Sequence, residues 1–129
     1  DIELTGKRVT VVGRSMVVGK PVSMLLLKEN ATVTMTHTRT VDLKKTCSDA
    51  EIVIAAAGRA KMLNSDYCRQ DAVMIDVGIN VDENGKLCGD VDYATLDGKA
   101  SVATPVPGGV GTVTTAVLAK HLIQAAKMR

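Results

Sequence analysis

The sequence predicts a three-layer α/β domain built around a mainly parallel β-sheet. Short Val- and Ile-rich runs alternate along the chain with segments of helical periodicity, the order expected of right-handed βαβ units. Hydrophobic residues make up 46% of the 129 residues, and they are almost all aliphatic because Trp and Phe are absent. Strands that helices bury on both faces have this aliphatic composition. The length fits one domain, 1–129, with a substantial core.

The first βα unit is the clearest in the pattern. A strand is predicted at 8–12, then a Gly/Ser turn, then a helix at 19–30 whose first turn tolerates Pro21. We expect the apolar residues of that helix to pack on the sheet; they are Val22, Met24, Leu25 and Leu26.

The remaining elements follow in the same alternation. Further strands are predicted at 32–36, 51–57, 72–77 and 101–105. Further helices are predicted at 41–49, for one turn within 64–70, and at 111–129. The last helix carries Val113, Val117, Leu118, His121 and Leu122 at helical spacing. The Asn-Gly pair within 82–86 predicts a small hairpin outside the main sheet.

Composition and charge exclude several classes of partner. The net charge of +2 is spread along the chain without a basic block, and aromatic stacking residues are almost absent, so nucleic-acid binding is not expected. No apolar run approaches the ~20 residues of a membrane span. Three cysteines without a CxxC pair indicate reduced thiols in a cytosol-like compartment, with no metal site. The chain enters its first strand within eight residues and lacks a starting Met, so we expect a piece of a longer polypeptide.

The turn after the first strand is a candidate nucleotide site. Gly13 lets the backbone leave the strand sharply, Ser15 offers a hydroxyl, and Gly19 opens a helix whose first N–H groups and dipole attract phosphate. Ligands of open α/β sheets bind beyond the carboxyl ends of the strands, where this turn lies. The spacing differs from G-x-G-x-x-G, and a purely structural tight turn is the alternative.

The end of the second strand favours NADP over NAD. NAD-binding domains usually have an acidic residue at this place for the ribose hydroxyls. Here Thr38 and Arg39 follow the strand, and Arg14 is expected nearby from the first turn. A 2′-phosphate suits hydroxyls and guanidinium groups, whereas a carboxylate repels it. The alternative is that Arg39 points into water.

The most distinctive segment is TPVPGGVGT at 104–112. Its two prolines stiffen an extended stretch, and Gly108, Gly109 and Gly111 let the backbone pass close to a ligand. The segment contains no general acid or base. Elsewhere, His37 has no Asp or Cys at a recognisable triad spacing, and Asp76 at a strand end favours a structural role in holding turns.

Five segments together resemble a known family: VVGRSMVVGKP, ATVTMTHTRT, IDVGIN, GDVDY and TPVPGGVGTVT, in this order. They are similar to the C-terminal cofactor domain of the methylenetetrahydrofolate dehydrogenase/cyclohydrolase family, from Leu4 to the end. The resemblance implies a Rossmann-like fold and an enzyme that oxidises methylenetetrahydrofolate with NADP and hydrolyses the methenyl product. It also implies a cytoplasmic protein that is a homodimer at full length.

The resemblance assigns four residues to the adenosine side of the cofactor. Gly13, Arg14 and Ser15 match the family's cofactor loop, with Arg14 towards the 2′-phosphate. Thr38 matches a position, often Ser in the family, that lies near the same phosphate.

The resemblance assigns the remaining residues to the reacting end. Ile79 matches a backbone contact to the nicotinamide, and Thr114 matches a threonine close to it. Pro107 and Gly108 match the loop that touches the folate, while Thr112 stands where many members have Pro.

The family's catalytic Tyr and Lys belong to an N-terminal domain, so no catalytic residue is assigned in this chain. We expect it to be the NAD(P)-binding half of the enzyme and inactive by itself. The alternatives are a free-standing nucleotide-binding or regulatory module without catalysis, and the same enzyme with a preference for NAD.

Overall fold

A computed structural model describes all 129 residues, and the predicted alternation of strands and helices is confirmed. The strands are β1 (Arg8–Val12), β2 (Thr32–Thr36), β3 (Ile52–Ala55), β4 (Val73–Asp76), β5 (Asn80–Val81), β6 (Leu87–Cys88) and β7 (Val102–Ala103). The helices are α1 (Gly19–Lys28), α2 (Leu43–Ser48) and α3 (Val110–Lys127), with 3₁₀ turns at Ser65–Tyr67 and Tyr93–Leu96. Strands β3, β4 and β7 are shorter than predicted.

The main sheet is fully parallel, with the strand order β2-β1-β3-β4-β7. The chain runs from β1 outward to β2 and then returns to place β3 on the other side of β1. The strand order therefore reverses between β1 and β3, which is the switch point where ligands of such sheets bind. The hairpin is also confirmed, because β5 and β6 pair antiparallel outside the main sheet.

Aliphatic side chains form a core on each face of the sheet, which confirms the three layers. On one face, Val9 and Val11 of β1 pack with Leu26 of α1. On the other face, Val12 packs in a cluster that includes Cys47 of α2. Alternate residues of β1 thus serve opposite faces, as the period of a strand requires. All three cysteines are free and buried, and burial raises the pKa of Cys47 to about 12.

The predicted buried face of α1 was partly wrong. Val22 is half-buried and Leu26 is buried, whereas Met24 and Leu25 are 66% and 64% exposed. The helix contacts the sheet through positions 22, 23 and 26, which are neighbours on one face. Met24 and Leu25 lie on the opposite face, so α1 presents apolar side chains to solvent.

Helix α3 has the predicted apolar face, but that face packs on nothing in this chain. Every residue from Gly111 to the end is exposed, His121 included. Val113, Leu118 and Leu122 are 61%, 60% and 64% exposed. The helix therefore extends away from the sheet. None of the helices is both long and apolar enough to cross a membrane.

Candidate functional site

Two pockets lie at the carboxyl ends of the parallel strands. The first, here called the β1–β3 pocket, has a volume of about 330 Å³ and is formed by the loops that follow β1, β2 and β3. Its lining residues are Gly13, Arg14, Ser15, His37, Thr38, Thr40, Leu43, Ala56, Ala57, Arg59 and Met62. The four residues expected on the adenosine side are all among them, so the structure brings them together.

Two glycines shape the loop after β1. Gly13 has φ of +120°, and a Cβ there would lie 2.8 Å from the carbonyl carbon of Ala56. A Cβ at Gly19 would lie 2.8 Å from the Cα of Arg14. The loop therefore packs backbone against backbone on both sides, which only glycine permits.

Ser15 caps helix α1 from within the loop. Its Oγ accepts the N–H groups of Val18 at 3.0 Å and Gly19 at 3.4 Å, and its carbonyl accepts the N–H of Lys20 at 2.9 Å. The expectation that the first N–H groups of the helix are free was therefore wrong. The unpaired amides come earlier, at residues 14–17, whose N–H groups have no acceptor within the chain. Consecutive free amides of this kind form anion-binding concavities.

The charged side chains of this pocket are all cationic. Arg14 and Arg59 are exposed and line it, and no carboxylate does. Arg39 does not line the pocket; its backbone N–H donates to His37 Nδ1 at 3.1 Å, and its side chain is exposed. His37 thus holds the turn after β2, in agreement with its having no triad partner.

Sequence reasoning overlooked Arg59. The signal was present in AAGRAK at 56–61, where a glycine and an arginine follow a buried strand. Its position became meaningful only with the sheet order, because that order places the end of β3 beside the end of β1.

The second pocket, here called the β4–α3 pocket, has a volume of about 470 Å³ and lies between the β4–β5 turn and the start of α3. Ile79, Pro107, Gly108 and Thr114 all line it, so the residues expected at the reacting end share one cavity. The Thr114 hydroxyl donates to the carbonyl of Gly111 at 2.9 Å. Pro107 and Gly108 are exposed and form an open wall.

Asp76 is the only ionisable residue lining the β4–α3 pocket, and its carboxylate is already engaged. It accepts the N–H groups of Gly78 and Val91 at 2.8 Å and of Asp90 at 3.1 Å. Burial raises the pKa of Asp76, and these three bonds oppose that rise. The carboxylate therefore holds turns, as its position at the strand end predicted.

Two lysines in neighbouring loops, Lys61 and Lys99, bind groups outside the β4–α3 pocket. Lys61 Nζ lies 3.3 Å from the carboxylate of Asp82, whose hydrogen bond raises the pKa of Lys61. Lys99 Nζ donates to the carbonyl of Ser65 at 2.7 Å. Neither lysine lines the β4–α3 pocket.

Comparison with known proteins gives one consistent family. The model of the tetrahydrofolate dehydrogenase/cyclohydrolase NAD(P)-binding domain matches residues 1–129. The chain is 57% identical over its whole length to the bifunctional protein FolD of Clostridioides difficile, and also 57% identical over 98% of its length to that of Clostridium kluyveri. In each case it spans 45% of the relative, a little under half.

Solved structures agree with this comparison. A FolD methylenetetrahydrofolate dehydrogenase/cyclohydrolase from Campylobacter jejuni superposes with a TM-score of 0.94 at 42% identity, covering 98% of this chain and 45% of that one. The Trypanosoma brucei enzyme, complexed with NADP cofactor and inhibitor, gives a TM-score of 0.84 at 39% identity over 92% of this chain and 43% of that one.

Proposed function

The chain belongs to the tetrahydrofolate dehydrogenase/cyclohydrolase family, as its NAD(P)-binding domain, and we propose that it binds NADP for a bifunctional enzyme of folate one-carbon metabolism. That enzyme would oxidise methylenetetrahydrofolate and hydrolyse the methenyl product. One observation carries the choice of cofactor: the β1–β3 pocket combines free backbone amides with two arginines and has no carboxylate.

The residues of the β1–β3 pocket fit a dinucleotide phosphate. The amides of 14–17 would bind the pyrophosphate, since their N–H groups have no acceptor within the chain. Arg14 and Thr38 would bind the 2′-phosphate, because a guanidinium and a hydroxyl both donate hydrogen bonds to phosphate oxygens. Ser15 would act mainly as the residue that fixes the loop, with its O–H still able to donate.

The β4–α3 pocket fits the reacting end of the cofactor and one side of the folate. NADP, when bound, supplies the acceptor for the substrate's hydride. Ile79 and Thr114 would orient the nicotinamide, and Pro107 and Gly108 would form the wall against the folate. No proton donor or acceptor is free in this pocket, so we propose that a further part of the polypeptide supplies it.

Replacing Arg14 by alanine tests the cofactor assignment. Loss of a charge-assisted hydrogen bond should weaken NADP binding by about 1.5–3 kcal/mol, or roughly 10- to 150-fold, and weaken NAD binding much less. Titration calorimetry with both cofactors measures the two losses. Arg39→Ala is the matched control, because Arg39 lies outside the pocket and should leave both affinities unchanged. Equal losses for NADP and NAD in Arg14→Ala would contradict the assignment and favour the NAD alternative.

We also propose that the polypeptide carrying this chain is a homodimer. The support is the solvent face of α1, where Met24, Leu25 and Leu27 are 66%, 64% and 50% exposed. Contiguous apolar residues of this kind mark interaction surfaces. Leu25→Glu should shift the sedimentation equilibrium from dimer to monomer, whereas Lys28→Glu on the last turn should not. A monomer before any substitution would contradict this proposal.

We also propose that the protein is cytoplasmic. Its support is that all three cysteines are buried as free thiols, which suits a reducing compartment. Recovery of the protein from a secreted fraction after cell fractionation would contradict it.

A further inference from the structure

Asp90 is a fully buried carboxylate with an unusual number of donors. Its Oδ2 accepts the N–H groups of Ala57 at 2.6 Å and Gly58 at 3.0 Å. Its Oδ1 accepts the N–H of Arg59 and the side-chain amide of Asn80, each at 2.9 Å. The side chain has no exposure to solvent, so three successive backbone amides and one side-chain amide satisfy it completely.

The three backbone amides belong to the segment that leaves β3. The N–H of Ala56 still bonds to the carbonyl of Val12 at 2.8 Å, but beyond that point no strand pairs with the segment. Unpaired amides in a partly buried segment are costly, and the carboxylate of Asp90 removes that cost for all three. Ala57 and Arg59 line the β1–β3 pocket, so the conformation that Asp90 holds is also the pocket's wall.

Hydrogen bonds to Asp76 fix the backbone at Asp90. The Asp76 carboxylate accepts the N–H groups of Asp90 at 3.1 Å and Val91 at 2.8 Å. A Cβ at Gly78 would lie 2.7 Å from the backbone nitrogen of Asp90 and would overlap its carboxylate, and a Cβ at Gly89 would overlap the carboxylate of Asp76. Each aspartate therefore occupies space that a glycine of the other segment leaves open.

We propose that Asp90 is a positioning residue for the cofactor: it gathers the amides of residues 57–59 and so fixes the wall from which Arg59 faces the β1–β3 pocket. The inference rests on the proposed function, since it needs a nucleotide in that pocket. Asp90 itself does not line the β1–β3 pocket; its carboxylate is fully buried and both of its oxygens accept hydrogen bonds from the chain.

The test is Asp90→Asn, which keeps the size of the side chain and replaces one acceptor by a donor. If the NH₂ group takes the place of Oδ2, it faces the N–H groups of Ala57 and Gly58. If it takes the place of Oδ1, it faces the N–H of Arg59 and the side-chain amide of Asn80. Amide hydrogen exchange at residues 57–59 should accelerate at least about tenfold. The dissociation constants of NADP and NAD should both rise by about tenfold, because the shared wall is displaced. This differs from Arg14→Ala, which acts on NADP selectively.

Asp82→Asn is the matched control. Asp82 Oδ1 accepts the N–H groups of Asn84 and Lys86, both at 2.9 Å, in the hairpin outside the β1–β3 pocket. Its substitution keeps an acceptor oxygen for those two N–H groups, replaces the acceptor that faces Lys61 Nζ, and should leave cofactor affinity unchanged. A merely structural Asp90 would behave likewise, with lower stability and an unaltered dissociation constant, and that result would overturn the inference.

A milder variant covers the case in which Asp90→Asn does not fold. Asn80→Ala removes one of the four donors and leaves the backbone amides in place. Exchange at Arg59 and the dissociation constants of both cofactors should then rise about threefold, the low end of what one hydrogen bond contributes. Unchanged dissociation constants would overturn the inference. Failure of the unmutated chain to bind either cofactor would instead overturn the proposed function, and this inference with it.

Discussion

Replacing Gly13 by alanine should lower the free energy of unfolding by about 4 kcal/mol and abolish NADP binding. Two costs of roughly 1–3 kcal/mol each add together, one from backbone strain at a positive φ and one from overpacking. The strain arises because φ is +120°, and the overpacking arises because the new Cβ would meet the carbonyl group of Ala56. The atoms that the new Cβ would meet belong to the backbone and not to a flexible side chain, so the loop or the segment after β3 has to move. A moved loop no longer presents the amides of 14–17 together.

The chain contains a close control for this prediction in Gly58→Ala. Gly58 also follows a strand and has a positive φ, of +71°, but a Cβ there would meet no atom within 4 Å. Its substitution should cost only the strain, about 1 kcal/mol. Urea unfolding measures both free energies, and calorimetry measures NADP affinity. Equal small losses for the two variants would show that the contact between Gly13 and β3 does not constrain the fold.

The contrast between these glycines shows what the sequence could predict. The pattern placed Gly13 and Gly19 at a sharp turn between strand and helix, because the turn residues and the periodicity on either side are local signals. Which of several glycines is irreplaceable depends on a contact with Ala56, which lies 43 residues after Gly13 and directly follows the neighbouring strand β3. That neighbour follows from the order β2-β1-β3-β4-β7, which alternation alone does not specify.

The same limit explains the residues that sequence reasoning overlooked. Arg59 and Asp90 carry weak local signals, since one follows a glycine and the other lies in GDVDY. Their importance comes from a long-range contact: the N–H of Arg59 donates to Asp90, which lies 31 residues later in the chain. The apolar face of α1 was expected to pack on the sheet and does so only in part, because periodicity shows that a face is apolar without showing what covers it.

The absence of turnover in this chain by itself is the largest effect that we expect. Hydride transfer from methylenetetrahydrofolate needs donor and acceptor held together in a reactive arrangement, and hydrolysis of the methenyl product needs proton transfer. The β4–α3 pocket offers one wall and one ionisable side chain, Asp76, which three backbone N–H groups occupy. Lys61 and Lys99 are paired elsewhere.

The purified chain, shown by calorimetry to bind NADP, should therefore produce no measurable methenyltetrahydrofolate in a spectrophotometric assay. Loss of a general acid or base alone removes about 10²–10⁴-fold in rate, and loss of the opposite wall removes more. Joining the chain to the remaining part of a family polypeptide should restore both activities. The same joined protein with Thr114→Val should keep its cyclohydrolase activity better than its dehydrogenase activity, because Thr114 is assigned to the nicotinamide. Turnover by the chain alone, abolished by Asp76→Asn in a protein that still binds NADP, would contradict this view and identify Asp76 as a working acid or base.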